Sequence, residues 1–143
     1  MKRVEYWTEK GFIKIARIYK SDRLKQGVDV DFYVDKKQFK DTPGVYLLTF
    51  KGEILKVGQS ANLLNRINIQ YKSIVNLGNN RIRKSIKEKY TSVDVYAFKT
   101  PIQKFSLLDY NFPINYQKGL EEAILHDFYN KVEDIPVLNL QRN

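Results

Sequence analysis

Between Gly44 and Arg66 the chain reads GVYLLTFKGEILKVGQSANLLNR, and this stretch limits the possible fold more than any other. An apolar run from Gly44 to Phe50 meets the polar break Lys51-Gly52-Glu53, and a second run, Ile54 to Val57, stops at Gly58. Two β-rich runs around a short loop containing glycine predict a hairpin. Ser60 then offers an N-cap, and Leu63, Leu64, Ile67, Tyr71, Ile74 and Val75 recur at helical spacing, so a helix is expected to about Val75. A hairpin running straight into a helix brings Tyr46, Lys56 and Arg66 toward one region. A phenol, an amine and a guanidinium, beside Gly58 and the free N–H groups of a helix start, suit phosphate chemistry.

The flanking segments supply the remaining elements. Gly11 to Tyr19 is strand-like with apolar residues on both faces, while Val28 to Val34 sets Val28, Val30, Phe32 and Val34 strictly against Asp29, Asp31 and Tyr33. These two are expected to pair as an N-terminal β-hairpin, an extension over residues 1–40 that packs on a core of residues 41–143 or touches nucleic acid. Asp29 and Asp31 share a face, as metal ligands would, but nothing nearby completes a ligand set, and they read as a solvated acidic face. Asn76 to Asn80 (NLGNN) reads as a loop. Arg81 to Tyr90 reads as a helix burying Ile82, Ile86 and Tyr90, with Arg81, Arg83, Lys84, Lys87 and Lys89 on its other faces. Ser92 to Phe98 alternates Val93, Val95 and Ala97 with Asp94, Tyr96 and Phe98, as a third core strand would. Ile102 to Gly119 is a long aromatic-rich connection, either a nucleic-acid contact or a partly helical lid. Leu120 to Val132 reads as a last helix, acidic at its start through Glu121 and Glu122, as the macrodipole prefers. The expected class is α+β: a central three-stranded antiparallel sheet flanked by helices and extended by the N-terminal hairpin.

Composition narrows the function. At 143 residues one domain is expected, and 43% hydrophobic with 13% aromatic residues predicts a folded globule. No run approaches the roughly 20 apolar residues of a membrane span, and the first residues lack the apolar run of a secretory signal, so a cytoplasmic protein is expected. With no cysteine and one histidine, disulfide frameworks, thiolate zinc sites and histidine-rich metal sites are excluded. A metal would be held by carboxylate, amide and water oxygens, which suits Mg²⁺ or Mn²⁺. A net charge of +9 and a pI near 9.6 fit a polyanionic partner. Arg81, Arg83, Lys84 and Lys87 are the candidate phosphate contacts, which steepen salt dependence without reading sequence.

Gly44-Val45-Tyr46, the ten residues from Tyr46 to Lys56, Val57-Gly58, and Asn62-Leu63 with Arg66 together resemble the core of the GIY-YIG nucleases. In that family a Gly-Ile-Tyr strand and a Tyr-Ile-Gly strand precede a helix carrying an arginine. The end of the chain is similar too. There the family has a helix beginning near a metal-binding glutamate, then a proline and a buried asparagine. Glu121 is the better match to the glutamate, with the adjacent Glu122 as the alternative, and Asn139 matches the asparagine. The resemblance covers about Gly44 to Gln141. Lys56 stands where the second tyrosine usually stands, as it does in some restriction-type members.

The resemblance implies a metal-dependent endonuclease that hydrolyses phosphodiester bonds of double-stranded DNA. Its catalytic set would be Tyr46, Lys56, Arg66, Glu121 and Asn139. Glu121 would hold Mg²⁺ or Mn²⁺, Arg66 would stabilise the phosphoryl transition state, and Tyr46 would deprotonate water. Lys56 would either stabilise the phenolate or, if neutral, take its proton. Cutting two strands with one site per chain favours a homo-oligomer, and the overall look is that of a small phage-encoded or restriction-type enzyme working in the cytoplasm of a bacterial or phage-infected cell. Two rivals remain: a non-cutting nucleic-acid-binding module in which Lys56 marks lost catalysis, and a regulatory domain that binds protein through the aromatic connection. His126, five residues beyond Glu121, falls on a different helix face and is not recruited.

Overall fold

The computed structural model describes residues 1–25, 27–72 and 77–139, with the backbone alone at 77–80. Helix α1 (Val4–Thr8) precedes strands β1 (Ile13–Lys20) and β2 (Val28–Phe32), and β3 (Gly44–Phe50) with β4 (Glu53–Ser60) forms the hairpin. Helices α2 (Leu63–Asn65) and α3 (Leu77–Ser85) each widen into a π-helical turn, Arg66–Gln70 and Ile86–Tyr90 respectively. Strands β5 (Ser92–Lys99), β6 (Lys104–Leu107) and β7 (Tyr110–Pro113) follow, then helix α4 (Tyr116–Val132) and a 3-10 turn, Val137–Asn139. The α+β class is as expected.

The sheet is larger than expected. Among the described residues its strands run β2-β1-β5-β3-β4, five rather than three, and all neighbours are antiparallel. The N-terminal hairpin forms, and β1 then pairs along β5, from Ile13 opposite Ala97 to Tyr19 opposite Ser92. The physical reason lies in β5. Without β1 it would present unpaired N–H and C=O groups beside a buried Val93-Val95-Ala97 face, and β1 satisfies them while burying Ile15, Ala16 and Ile18. Asp29 and Asp31 lie toward solvent, paired with Lys72 (3.8 Å) and Arg17 (3.4 Å), which agrees with a solvated acidic face.

Strand β3 is buried on both faces, which explains its unbroken apolar run. Tyr46 and Leu48 pack with Leu63, Ile67, Tyr71, Ile82 and Ile86 on one side. Val45 and Leu47 pack with Val4, Trp7, Ile124 and Phe128 on the other. There Phe128 of α4 stacks on Trp7 with ring centres 5.9 Å apart. Helices α2 and α3 therefore cover one face of the hairpin, and α1 and α4 cover the opposite one.

Several boundaries differ from expectation for local reasons. Strand β4 runs through Gly58 to Ser60, and Asn62 caps α2 by accepting from the Asn65 N–H. Ser60 Oγ instead accepts from the Asn62 N–H at 3.0 Å. Helix α3 begins at Leu77, inside the stretch expected to be a loop, so the weak helix formers Gly78, Asn79 and Asn80 fall in its first turn, away from the helix interior where propensity weighs most. The expected end of the preceding helix, Ile74 and Val75, lies outside the described residues.

The long connection is ordered, and its last four residues, 116–119, open helix α4. Ahead of them it folds into a two-stranded ribbon that sets Phe105 opposite Phe112 and Leu107 opposite Tyr110 on one exposed face. Its turn, Leu108-Asp109, has φ of 52° and 66°, left-handed values that a two-residue hairpin requires and that leucine rarely supplies. Helix α4 starts at Tyr116 behind an Asn115 cap, four residues earlier than expected, so Glu121 and Glu122 sit in its second turn and not its first.

Candidate active site

The site begins with an irregularity in the β3–β4 hairpin. Counting back from the turn, Phe50 pairs with Glu53 and Thr49 with Ile54, but Leu48 pairs with Lys56, leaving Leu55 as an extra residue on β4. Such a bulge reverses the faces taken by every following side chain. In an unbulged register Lys56 would lie opposite Leu47, and Val57 opposite Tyr46. The bulge gives Lys56 the face of Leu48 and Tyr46, and it sets Gly58 opposite Tyr46. Gly58 thus serves as the space for the phenol ring rather than as a turn residue. A Cβ there would overlap the ring, 2.5 Å from the Tyr46 hydroxyl and 2.8 Å from Cε1.

Tyr46 is completely buried. Its hydroxyl lies 2.8 Å from that of Tyr71, which is equally buried, and the two rings meet edge-on at 6.1 Å and 90°. The π-helical turn explains how Arg66 and Tyr71 both reach this point. In a regular α-helix, residues five apart point about 140° away from each other. The wider turn closes a bond from the Tyr71 N–H to the Arg66 carbonyl at 3.3 Å and swings Tyr71 back toward the face of Arg66. Tyr71 was legible in the sequence only as one of an apolar stripe. A tyrosine there, with its hydroxyl needing a buried partner, was the signal available.

Burial raises the Tyr46 phenol above its ordinary value, opposed by the Arg66 charge and by hydrogen bonds with Tyr71 and Arg66, and reinforced by the Glu121 carboxylate. Desolvation wins, so Tyr46 is protonated at neutral pH. Tyr71 is raised further, by burial first and by Tyr46 second. The guanidinium of Arg66 keeps one buried donor, Nε, with no acceptor among the described residues. A buried charged donor without a partner calls for an ion or water.

The expected cradle of free helix N–H groups is not formed. The Leu63 N–H donates to the Thr42 carbonyl at 2.8 Å, and the Asn65 N–H to Asn62 Oδ1 at 3.0 Å.

Glu121 is half-buried and its charge is felt at Tyr46, although α4 and α2 cover opposite faces of the hairpin. Glu122 is exposed and lines a separate groove with Leu125, His126, Ile135 and Asn139. His126 is exposed beside Asn130 at 3.1 Å, outside the Tyr46 cluster. Among the described residues no three His, Asp or Glu side chains gather as a metal cage. A lone carboxylate suits a cation that keeps most of its water and borrows substrate oxygens, as Mg²⁺ does.

Asn139 is buried, and its side-chain amide pairs with both backbone groups of one residue of β4. The Val57 N–H donates to Asn139 Oδ1 at 2.8 Å, and Asn139 Nδ2 donates to the Val57 carbonyl at 2.9 Å. The amide thereby stands in for a sixth strand at the sheet edge, giving one N–H and one lone pair to backbone. Of the four cations expected on α3 and its π turn, Lys84 and Lys87 are exposed and Arg83 is half-buried. Arg81 is also half-buried, and its Nη2 donates to the Leu138 carbonyl at 2.8 Å.

No protein-family model and no curated protein matches the sequence. Solved structures do. The chain superposes over 90% of its length on 95% of bacteriophage T4 EndoII, solved as a mutant, with TM-score 0.65 and 17% identity. It superposes over 99% of its length on 87% of the restriction endonuclease HPY188I, solved in complex with product DNA, with TM-score 0.60 and 19% identity. The chain therefore shares its fold with a restriction endonuclease and with phage T4 EndoII.

Proposed function

We propose that this protein is a metal-dependent DNA endonuclease of the GIY-YIG type, hydrolysing phosphodiester bonds. The observation that carries the reading is one buried phenol that is hydrogen-bonded to Tyr71 and Arg66 and lies within the field of the Glu121 carboxylate, while the Arg66 Nε finds no acceptor among the described residues. A phosphodiester needs charge neutralisation, an activated water and help for the leaving oxygen. Arg66 supplies planar, permanent positive charge for the phosphoryl oxygens. Glu121 is the residue that would hold Mg²⁺ or Mn²⁺, and a bound divalent cation supplies electrostatic stabilisation of the phosphate. Tyr46 starts neutral and must lose its proton before it can act as a base. Lys56, on the same strand face through the bulge, either takes that proton or stabilises the phenolate. Asn139 contributes by fixing the backbone between Lys56 and Gly58.

The partner in this reading is double-stranded DNA, gripped through Arg83, Lys84 and Lys87, and cutting both strands calls for two copies of the chain. The test is supercoiled plasmid incubated with Mg²⁺, Mn²⁺ or EDTA, using wild type, Tyr46→Phe, Glu121→Ala and Glu122→Ala. Metal-dependent nicking that is lost in the first two variants and kept in the third is expected. Absence of cutting on random-sequence DNA in every metal, with a salt-sensitive mobility shift retained, would replace the enzyme by a binding module of the same fold.

A further inference from the structure

We infer that Arg81 is a positioning residue for the proposed catalytic strand and not a phosphate contact; the inference rests on the nuclease reading for its catalytic consequence only. From sequence, Arg81 is one of a row of cations on a basic helix. In the structure it is separated from them by what it touches. Its Nη2 crosses from α3 to the C-terminal turn and donates to the Leu138 carbonyl at 2.8 Å. Leu138 is buried in the core shared with Tyr46 and Tyr71. The next residue is Asn139, whose amide holds both backbone groups of Val57 at 2.8 and 2.9 Å. Val57 in turn lies between Lys56 and Gly58, and Gly58 is the floor beneath the Tyr46 ring.

The path is short: guanidinium, one carbonyl, one side-chain amide, the two backbone groups of one edge-strand residue. Each link has a physical reason. The Val137–Asn139 turn has little structure to hold it, a single 3-10 turn closed by the Asn139 N–H on the Pro136 carbonyl at 2.8 Å. Such a turn frays unless its carbonyls are satisfied. A charged donor to the Leu138 oxygen is the stronger kind of hydrogen bond. It fixes the peptide between Leu138 and Asn139, and with it the direction in which the Asn139 amide leaves the backbone. Strand β4 is an edge of the sheet, so the Asn139 amide is what pairs Val57 on its outer side. Releasing Arg81 would let that edge move by the fraction of an ångström that matters to the groups on either side of Val57.

The experiment uses the full chain as wild type, Arg81→Ala and Arg81→Lys, with Lys87→Ala as the example of a lost surface cation. Three kinds of quantity are read: the kinetics of plasmid nicking (kcat and KM), the salt dependence of DNA affinity in EDTA, and hydrogen exchange of the Asn139 side-chain amide by NMR. Arg81→Ala is expected to lower kcat about tenfold or more with KM and the salt slope unchanged, and to speed exchange of the Asn139 amide by a similar factor. Lys87→Ala is expected to leave the Asn139 amide alone, to raise KM and to flatten the salt slope by about 0.9. A flattened salt slope in Arg81→Ala, with kcat and the Asn139 amide unchanged, overturns the inference in favour of a phosphate contact. A lowered melting temperature with all three quantities unchanged overturns it in favour of a purely structural bond. Should Arg81→Ala not fold, Arg81→Lys decides, since it keeps the charge while its shorter, single-point donor weakens the carbonyl bond: an unchanged kcat and amide exchange there refute the positioning role. If wild type cuts no DNA, the nuclease reading fails, and amide exchange with the salt slope still judges Arg81.

Discussion

Gly58→Ala adds one methyl group at the place where the proposed catalytic phenol has no room to move. The new Cβ would lie 2.8 Å from Cε1 of Tyr46 and 2.5 Å from its hydroxyl, whereas comfortable carbon contacts begin at about 3.5 Å. Relief requires the ring or the strand to move by about 1 Å. The ring is completely buried, and its hydroxyl bond to Tyr71 is 2.8 Å long; the same movement would stretch that bond past the useful range. Overpacking contributes a loss of about 1–3 kcal/mol and the weakened hydroxyl pair about 0.5–1.5 kcal/mol, so a total near 2–4 kcal/mol is expected. Displacing a reacting group by about 1 Å lowers the rate about 100-fold. Urea unfolding gives the stability and metal-dependent nicking gives the rate. The reasoning also demands non-additivity. In a Tyr46→Leu background, where the far half of the ring is gone, the added methyl is expected to lower stability by less than about 1 kcal/mol. An equal loss in both backgrounds would refute the account, since the methyl would then be colliding with something other than the phenol.

Three further outcomes are expected. Tyr46 and Tyr71 both titrate above the ordinary tyrosine value in the folded protein, so the stability they contribute is fully present below about pH 10 and is lost as pH rises through the folded values. Alkaline unfolding followed by circular dichroism should therefore shift to higher pH in Tyr46→Phe, once normalised for its lower stability at neutral pH. Replacing Lys84 and Lys87 together by alanine should flatten the dependence of log affinity on log salt by about 1.8, while leaving neutral-pH stability within about 0.5 kcal/mol. Thr91 has φ of 62°, a left-handed value that a β-branched residue adopts under strain, although it closes the π turn through its N–H to the Ile86 carbonyl at 2.7 Å. Thr91→Gly keeps that bond and should raise stability by about 0.5–1 kcal/mol in thermal unfolding.

What the sequence made legible was periodicity. The period-two and helical patterns located β3, β4, β5 and the buried stripe of α3, and the spacing from Tyr46 to Arg66 placed a candidate site before any coordinates. What it hid falls into two kinds. One kind comprises features that break a period, namely the extra residue at Leu55 and the π turn at Arg66, because each reassigns faces without leaving a distinctive residue behind. The other comprises features that defy local preference. The ribbon turn at Leu108-Asp109 carries neither glycine nor asparagine, and the glycine and asparagines at 78–80 lie in a helix. Partners distant in sequence were equally hidden. Nothing around Arg81 announces a carbonyl 57 residues away, and the fifth neighbour of Arg66 became visible as the partner of Tyr46 only once helix and strand were packed.

The extra residue at Leu55 also bears on how chains of this fold diverge. Lengthening the turn at Lys51-Gly52 leaves every pairing above it intact, so the hairpin can grow at its tip without disturbing the lysine or the glycine. A single deletion between Glu53 and Lys56 does something different. It removes the bulge and keeps Lys56 opposite Leu48 and Gly58 opposite Tyr46, whereas absorbing the extra residue by a slip of the strand would turn the amine to the other layer and slide Val57 under the phenol. The separation between tyrosine and lysine is accordingly a poor ruler for comparing such chains, because equal separations can hide opposite faces and unequal ones the same face. The informative comparison is parity along β4, counted from the bulge.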